Sequence, residues 1–294
     1  MGYEKDLLIL PFDHRGSLLK KLFGIEGRDP TPEETEKYSD LKYMIYEGFL
    51  KSLEMGVPKD KAAILIDAQF GMKIIEDAKS KGIMVAMPTE KSGQKEFDFD
   101  EPDFKAHIQR VDPTFVKVLV RMNPEDEEEL NKRQLGRLKQ ISEYCKEIGK
   151  KFIFELLVPA TEEQAGDNYD LDIRPKLMVQ VIKEIQNFGV EPDVWKLEGV
   201  SKPEDSAALV EQCQADGRTA GIITLGRGEN AEKVKEWLKV GAKSKGIIGF
   251  AVGRTVFWEP MKALNDGSIS REEAIEQVKN NYKSLVDLWN SERV

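Results

Sequence analysis

The sequence predicts an α/β protein, a single-domain (β/α)8 TIM barrel over residues 1–294. Three observations predict it. Short apolar runs alternate with longer amphipathic ones eight times along the chain, and alternation of this kind means parallel strands covered by helices. No Gly-x-Gly-x-x-Gly loop follows the first run, where Asp13-His14-Arg15-Gly16 stands instead; a doubly wound open sheet, the runner-up, more often carries such a loop. Charged residues gather at the ends of the apolar runs, where a barrel builds its site from the βα loops. No linker, low-complexity segment or obvious repeat divides the chain.

The first strand is expected over residues 6–12, ending in Asp13-His14-Arg15-Gly16-Ser17. Thr31-Pro32-Glu33-Glu34 opens a helix with a capping threonine and a proline where its missing N–H costs nothing, and the helix runs to about Glu54. The second strand, 62–66, ends in Asp67; a helix over 72–81 stops at Gly82. The third, 83–87, ends in Pro88-Thr89-Glu90-Lys91, and a polar stretch from Phe97 to Asp112 holds a short helix. The fourth strand, 114–120, contains Lys117 and leads to Arg121; an acid-started helix, whose charge complements the helix dipole, reaches Ile148. The fifth, 151–158, has Glu155 in its middle, followed by a long polar loop to Ile173 and a helix over 174–188. The sixth, 194–198, carries Lys196 and Glu198, with a helix over 202–215. The seventh, 220–225, ends in Gly226-Arg227-Gly228, with a helix over 229–240; the eighth, 246–252, ends in Gly253-Arg254-Thr255. A Ser270/Glu273 capping box starts the last helix, to about Asn290.

Composition narrows the function classes. A net charge of -9 argues against general nucleic-acid binding, and no run approaches the length of a membrane span. Two cysteines far apart and two histidines without neighbouring ligands give no metal-site spacing, so neither metal nor cofactor is expected. The first strand follows Met1 within a few residues, so no signal peptide is expected, and the thiols suit a reduced cytoplasmic setting. The oligomeric state stays open, a homo-oligomer included.

The chemistry centres on strands four to six, each of which places a charge inside an apolar run. Strand alternation puts Val194, Lys196 and Glu198 on one face and Trp195 and Leu197 on the other. Burying an amine lowers its pKa, and such a lysine is the usual nucleophile for a Schiff base. Lys117, on a nearby strand, would lower it further, and partial desolvation should raise the pKa of Glu155 and suit it to proton transfer. Gly226 and Arg227 after strand seven, with Gly253 and Arg254 after strand eight, supply backbone approach and cations for a phosphate. Asp13, His14 and Arg15 follow strand one, where Asp13 and Arg15 would orient hydroxyls or a carboxylate; Asp67 follows strand two at the polar rim, and Glu198 or a water would assist Glu155 in proton transfer. Each of these residues alone can be explained as a structural ion pair. A phosphorylated small molecule is the expected partner. A sugar-phosphate-binding barrel without turnover, or an isomerase or epimerase using Glu155 and Asp67, are the alternatives.

With these residues in view the chain resembles the class I tagatose-1,6-bisphosphate aldolase family. It is more similar still to the domain fused behind the sugar kinase in many bacterial 5-dehydro-2-deoxygluconokinases of inositol catabolism. The resemblance rests on Pro11-Phe12-Asp13-His14-Arg15-Gly16-Ser17-Leu18, Leu65-Ile66-Asp67, Val116-Lys117-Val118-Leu119, Phe154-Glu155-Leu156-Leu157, Val194-Trp195-Lys196-Leu197-Glu198 and Gly253-Arg254, in that order. It implies a metal-independent aldolase with Lys196 as the Schiff-base lysine, Glu155 as the acid/base and Lys117 as the second lysine. The tagatose enzymes typically carry Gln where this chain has His14, and their loop after strand seven differs. The kinase-fused relatives imply 2-deoxy-5-keto-gluconate 6-phosphate as substrate, cleaved to dihydroxyacetone phosphate and malonate semialdehyde.

Overall fold

The apolar runs form eight parallel strands: β1 (Leu7–Pro11), β2 (Ala62–Leu65), β3 (Met84–Pro88), β4 (Phe115–Arg121), β5 (Lys151–Leu157), β6 (Val194–Glu198), β7 (Thr219–Leu225) and β8 (Ile247–Ala251). Each pairs with the next, and β8 pairs back with β1, so the sheet closes into a barrel. The structure is a computed structural model and describes residues 2–166 and 168–293.

Two apolar layers follow from the alternation of each strand. Phe115, Ile153 and Val194 point inward with Leu7, Ile9 and Ile223 and fill the barrel. Trp195, Leu197, Phe152 and Phe154 belong to the outer core, shared with the helices. Lys117, Glu155 and Lys196 each lie two residues beyond an inward apolar residue, so they share that face one layer nearer the C-terminal ends. The register sets Glu155 directly beside Lys196. A charged layer therefore rests on an apolar floor.

The helices are α1 (Gly16–Phe23), α2 (Pro32–Glu54), α3 (Ala68–Ser80), α4 (Phe104–Val111), α5 (Glu128–Glu147), α6 (Arg174–Asn187), α7 (Pro203–Cys213), α8 (Ala231–Lys243), α9 (Arg254–Asn265) and α10 (Arg271–Glu292). Both capping boxes form, at Thr31/Glu34 and Ser270/Glu273. Helices α1 and α9 are not among the sequence expectations. Neither has a side-chain cap to announce its start. Proline 260 inside α9 also reads as a helix breaker. The helix tolerates it because the Val256 carbonyl, left without its usual N–H donor, accepts from Asn281 Nδ2 of α10 at 2.9 Å. The long polar loop after β5 also holds one turn of π-helix, Tyr169–Ile173.

An N-terminal arm closes the bottom. Gly2 and Tyr3 pair in parallel with Thr219 and Ala220 of β7, and the Tyr3 ring meets Phe115 edge-on at 5.2 Å. No helix among the described residues is long and apolar enough to cross a membrane.

Candidate active site

The C-terminal ends of the strands surround a cavity of about 650 Å³. Asp13, His14, Glu90, Lys117, Glu155 and Lys196 line its depth, and Gly226, Arg227, Gly253 and Arg254 line one wall. Lys117 lies at the centre of the charged layer, 1% exposed. Its Nζ lies 2.6 Å from Glu90 Oε1, 2.9 Å from Glu155 Oε2 and 3.2 Å from Asp13 Oδ2. An ammonium has three N–H groups, and three carboxylates meet them. Burial works against its charge, but Glu155, Glu90 and Asp13 outweigh burial and hold the pKa well above the usual lysine range. Lys117 is thus a cation whose charge is offset by the carboxylates around it.

Lys196 is arranged differently. Among the described residues its Nζ pairs with one carboxylate, Glu155 Oε1 at 2.7 Å, and the side chain lines the cavity. Glu155 therefore uses one oxygen for each lysine. Burial pushes its pKa up, but the Lys117 and Lys196 ammoniums outweigh burial and lower it. This corrects the expectation from desolvation alone: a carboxylate between two cations stays ionised. Asp13 behaves the same way, with burial opposed and overcome by Lys117 and Lys196.

Glu90 is absent from the expected site residues although it belongs to this knot. It lies just beyond β3, where the rule that charges after strand ends line a barrel site could have found it. Its pKa is raised, since burial outweighs Lys117 and Arg15. Arg15 is committed to the loop after β3: it donates to the Glu90 carbonyl and pairs with Asp100 at 2.7 Å. His14 faces the cavity with Phe257 edge-on at 5.8 Å, and its buried Nδ1 has no hydrogen-bond partner among the described residues. Burial, reinforced by Arg254, Lys42 and Lys196 against Asp13, lowers its pKa to about 4, so the ring is neutral at pH 7.

Two expected site residues do not line the cavity. Asp67 caps α3 by accepting from the Phe70 N–H at 2.8 Å and pairs with the buried Lys42 of α2, so it fastens helices to the barrel wall. Glu198 follows Lys196 in strand parity, but the strand end carries it away from the mouth. It is 3% exposed, accepts from the Val158 N–H at 2.9 Å and faces Arg227 at 3.3 Å.

The two arginines of the glycine loops also part company. Gly226 to Glu229 form a turn closed by Glu229 N–H to Gly226 O at 2.9 Å, with φ of 48° at Arg227 and 81° at Gly228, the type I′ conformation. The Arg227 guanidinium is occupied by Asp170 (2.6 Å to each oxygen), Glu229 (3.0 Å) and Glu198 (3.3 Å). Arg254 donates to the Arg227 carbonyl and has no carboxylate partner among the described residues. Gly228 makes room for it, since a Cβ there would lie 2.1 Å from the Arg254 guanidinium. Arg254 also begins α9, whose first turn lacks a side-chain cap, whereas Asn230 caps α8 by accepting from Lys233 N–H at 2.9 Å. Uncapped N–H groups, a cation and close backbone approach together suit an oxyanion.

Among the described residues no group of three or more His, Cys, Asp and Glu is placed to hold a metal ion. The three converging carboxylates enclose an ammonium instead.

A family model described as "Uncharacterized protein conserved in bacteria (DUF2090)" matches residues 2–293. Curated tagatose 1,6-diphosphate aldolases of Listeria monocytogenes are similar to the chain. Those of two serotype 4b strains are 26% identical over 206 residues, covering 67% of this chain and 57% of theirs. One from a serovar 1/2a strain is 26% identical over 196 residues, covering 64% and 54%. The chain thus spans a little over half the length of these relatives. A Plasmodium falciparum fructose-bisphosphate aldolase structure superposes with a TM-score of 0.65 at 13% identity, covering 97% of this chain and 91% of the other. An archaeal fructose 1,6-bisphosphate aldolase follows at 0.59 and 11%, covering 97% and 95%. A Schiff-base-forming fructose-1,6-bisphosphate aldolase follows at 0.57 and 12%, covering 95% and 94%. At these identities the structures establish a shared barrel fold.

Proposed function

The chain belongs to the DUF2090 family, and from that premise and the cavity's geometry we propose that it is a class I aldolase. It cleaves a phosphorylated keto sugar or keto sugar acid to dihydroxyacetone phosphate and an aldehyde, through a Schiff base on Lys196. The observation that carries the reading is the inequality of the two buried lysines. Lys117 meets three carboxylates, while Lys196 meets one and opens on the cavity.

In this mechanism Lys196 passes a proton to Glu155 and its nitrogen adds to the substrate ketone. The carbinolamine hydroxyl takes a proton back and leaves as water, giving an iminium. Glu155, ionised again, takes the proton of the hydroxyl beyond the scissile bond. The C–C bond breaks, its electrons flow into the iminium to form an enamine, and the aldehyde departs. Reprotonation and hydrolysis release the second product. Lys117 keeps Glu155 and Asp13 ionised, neutral His14 offers a hydrogen bond to a substrate oxygen, and Arg254 with the start of α9 holds the phosphate. The similarity to tagatose aldolases supports tagatose 1,6-bisphosphate as one substrate. His14, where the tagatose enzymes typically carry Gln, and the resemblance to the kinase-fused domains support a different sugar, 2-deoxy-5-keto-gluconate 6-phosphate of inositol catabolism. The buried free Cys145 and Cys213 support a reduced, cytoplasmic setting for the reaction.

The test is a screen of phosphorylated keto sugars for triose phosphate release, with borohydride present in parallel. An adduct on Lys196 together with triose phosphate is expected. Turnover without an adduct, or persistent binding without either, overturns the reading.

A further inference from the structure

The proton that Lys196 must shed before it attacks a carbonyl has one adjacent carboxylate acceptor among the described residues, Glu155 Oε1 at 2.7 Å. The contacts continue beyond it. Glu155 Oε2 lies 2.9 Å from Lys117 Nζ, and Lys117 Nζ lies 2.6 Å from Glu90 Oε1. Base and acid alternate along this chain. It ends at Glu90 Oε2, which is buried and without a hydrogen-bond partner among the described residues. An ionised carboxylate oxygen left in that condition is expensive, and a neutral O–H there costs less.

We propose that Glu90 is the terminal proton store of a Lys196–Glu155–Lys117–Glu90 relay, a positioning residue that acts on the nucleophile through Lys117; this rests on the Schiff-base reading above. One N–H bond of the Lys196 ammonium breaks and its proton joins Glu155 Oε1. The Glu155 carboxyl turns about its last torsion, which is soft, and presents the proton to Lys117. Lys117 takes it as one of its own protons passes to Glu90. The Glu90 carboxyl turns in the same way, so that the O–H occupies the partnerless position and the bare oxygen again accepts from Lys117. The result is a neutral Lys196, a charged Lys117, an ionised Glu155 and a neutral Glu90, with no proton lost to solvent. Glu155 is then free to serve as base at the substrate.

The neighbours favour this end of the chain. The groups facing Glu90 are Lys117 from β4, Asp13 and Arg15 from the segment after β1, and Asp100 behind Arg15. Of the three carboxylates around Lys117, Asp13 and Glu155 are held ionised by Lys117 and Lys196, and Glu90 alone has its pKa raised. A proton released into the knot settles where the neutral form is favoured.

The experiment follows the rate at which dihydroxyacetone phosphate is trapped on Lys196 by cyanoborohydride, as a function of pH, in the wild type and in Glu90→Gln and Glu90→Asp. Glu90→Gln keeps an acceptor for Lys117 and removes the store. Glu90→Asp keeps the charge but withdraws the carboxyl by one methylene and breaks the last contact. A relay predicts that both variants trap about tenfold or more slowly at neutral pH, and that in both the acidic limb of the profile moves up by about one unit. If one variant fails to fold, the other still decides. Glu90 acting only as a fixed charge predicts a downward move in Glu90→Gln and none in Glu90→Asp, and a purely structural role predicts no move in either; both results overturn the relay. Absence of any adduct in the wild type overturns the Schiff-base reading itself, whereas a normal wild type with unmoved variants overturns the relay alone.

Discussion

The two ends of the barrel each build an ionic knot around buried carboxylates, and they follow opposite rules. At the bottom one carboxylate, Asp193, is 3% exposed and fully engaged. Its Oδ1 accepts from the Gly2 N–H at 2.8 Å and from Lys151 Nζ at 2.9 Å, and its Oδ2 accepts from the Phe152 N–H at 3.0 Å. At the top, three carboxylates and two ammoniums share one layer, and pieces are left over: a Lys196 with one partner, a Glu90 oxygen and a His14 nitrogen with none among the described residues. A satisfied buried network fixes a structure, whereas one that faces a cavity with spare valences can do chemistry. The bottom knot joins the N-terminal arm to β5 and β6, whereas the top one faces the cavity with groups left to take a further partner.

The comparison breaks most visibly at Lys196. Lys196→Ala should abolish borohydride trapping altogether, and peptide mass spectrometry of the wild type should place the adduct on Lys196. An adduct on Lys117 that survives the substitution would mean that a lysine surrounded by three carboxylates can still act as nucleophile, and the contrast between saturated and open would lose its force.

Glu155 comes next. Glu155→Gln preserves the shape between the two lysines and removes the titrating group, so turnover should fall by about 10²–10⁴-fold while phosphorylated substrate still binds. A turnover number near wild type would return Glu155 to a structural role like that of Asp193.

At the bottom the expectation reverses. Asp193→Ala leaves the Gly2 and Phe152 N–H groups without their acceptor and should cost about 2–3 kcal/mol of stability, read from denaturant midpoints. Turnover per folded molecule should not change. A loss of turnover in a folded Asp193→Ala protein would show that the two ends are coupled through the apolar floor.

Much of this contrast was legible in the sequence, and the gaps have physical causes. Lys117, Glu155 and Lys196 could be placed on one inward face because each lies inside a strand, where parity fixes direction. Residues at strand ends have no such constraint. Asp67 and Glu198 look like rim residues in one dimension, yet Asp67 bonds backward to Lys42 and α3, and Glu198 to the Val158 N–H. Glu90 looks no different from Lys91 beside it, and only the fold turns it onto Lys117. Arg227 and Arg254 share the same glycine-flanked signature, and their difference depends on Asp170, more than fifty residues earlier in a loop with no strand or helix pattern.

That last pair gives the smallest effect and the sharpest discrimination. If Arg254 is the free cation at the start of α9, Arg254→Gln removes a charge-assisted contact to phosphate worth about 1.5–3 kcal/mol. KM for a phosphorylated substrate should then rise by about 10–10²-fold with a smaller change in kcat. The Arg227 guanidinium is already held by Asp170, Glu229 and Glu198, so a phosphate would have to displace carboxylates to reach it. Arg227→Gln should therefore raise KM by no more than about threefold, the scale of a partly exposed ion pair. Its cost should appear in stability instead. Burial already raises the Glu198 pKa, and without Arg227 that carboxyl becomes easier still to protonate than to keep charged. A folded-state carboxyl pKa raised above its unfolded value makes stability fall as pH rises through it. Arg227→Gln should thus lose more stability at pH 8 than at pH 5 relative to wild type. Equal rises in KM for the two arginine variants would put Arg227 at the phosphate after all, and the turn after β7 would join the open half of the site.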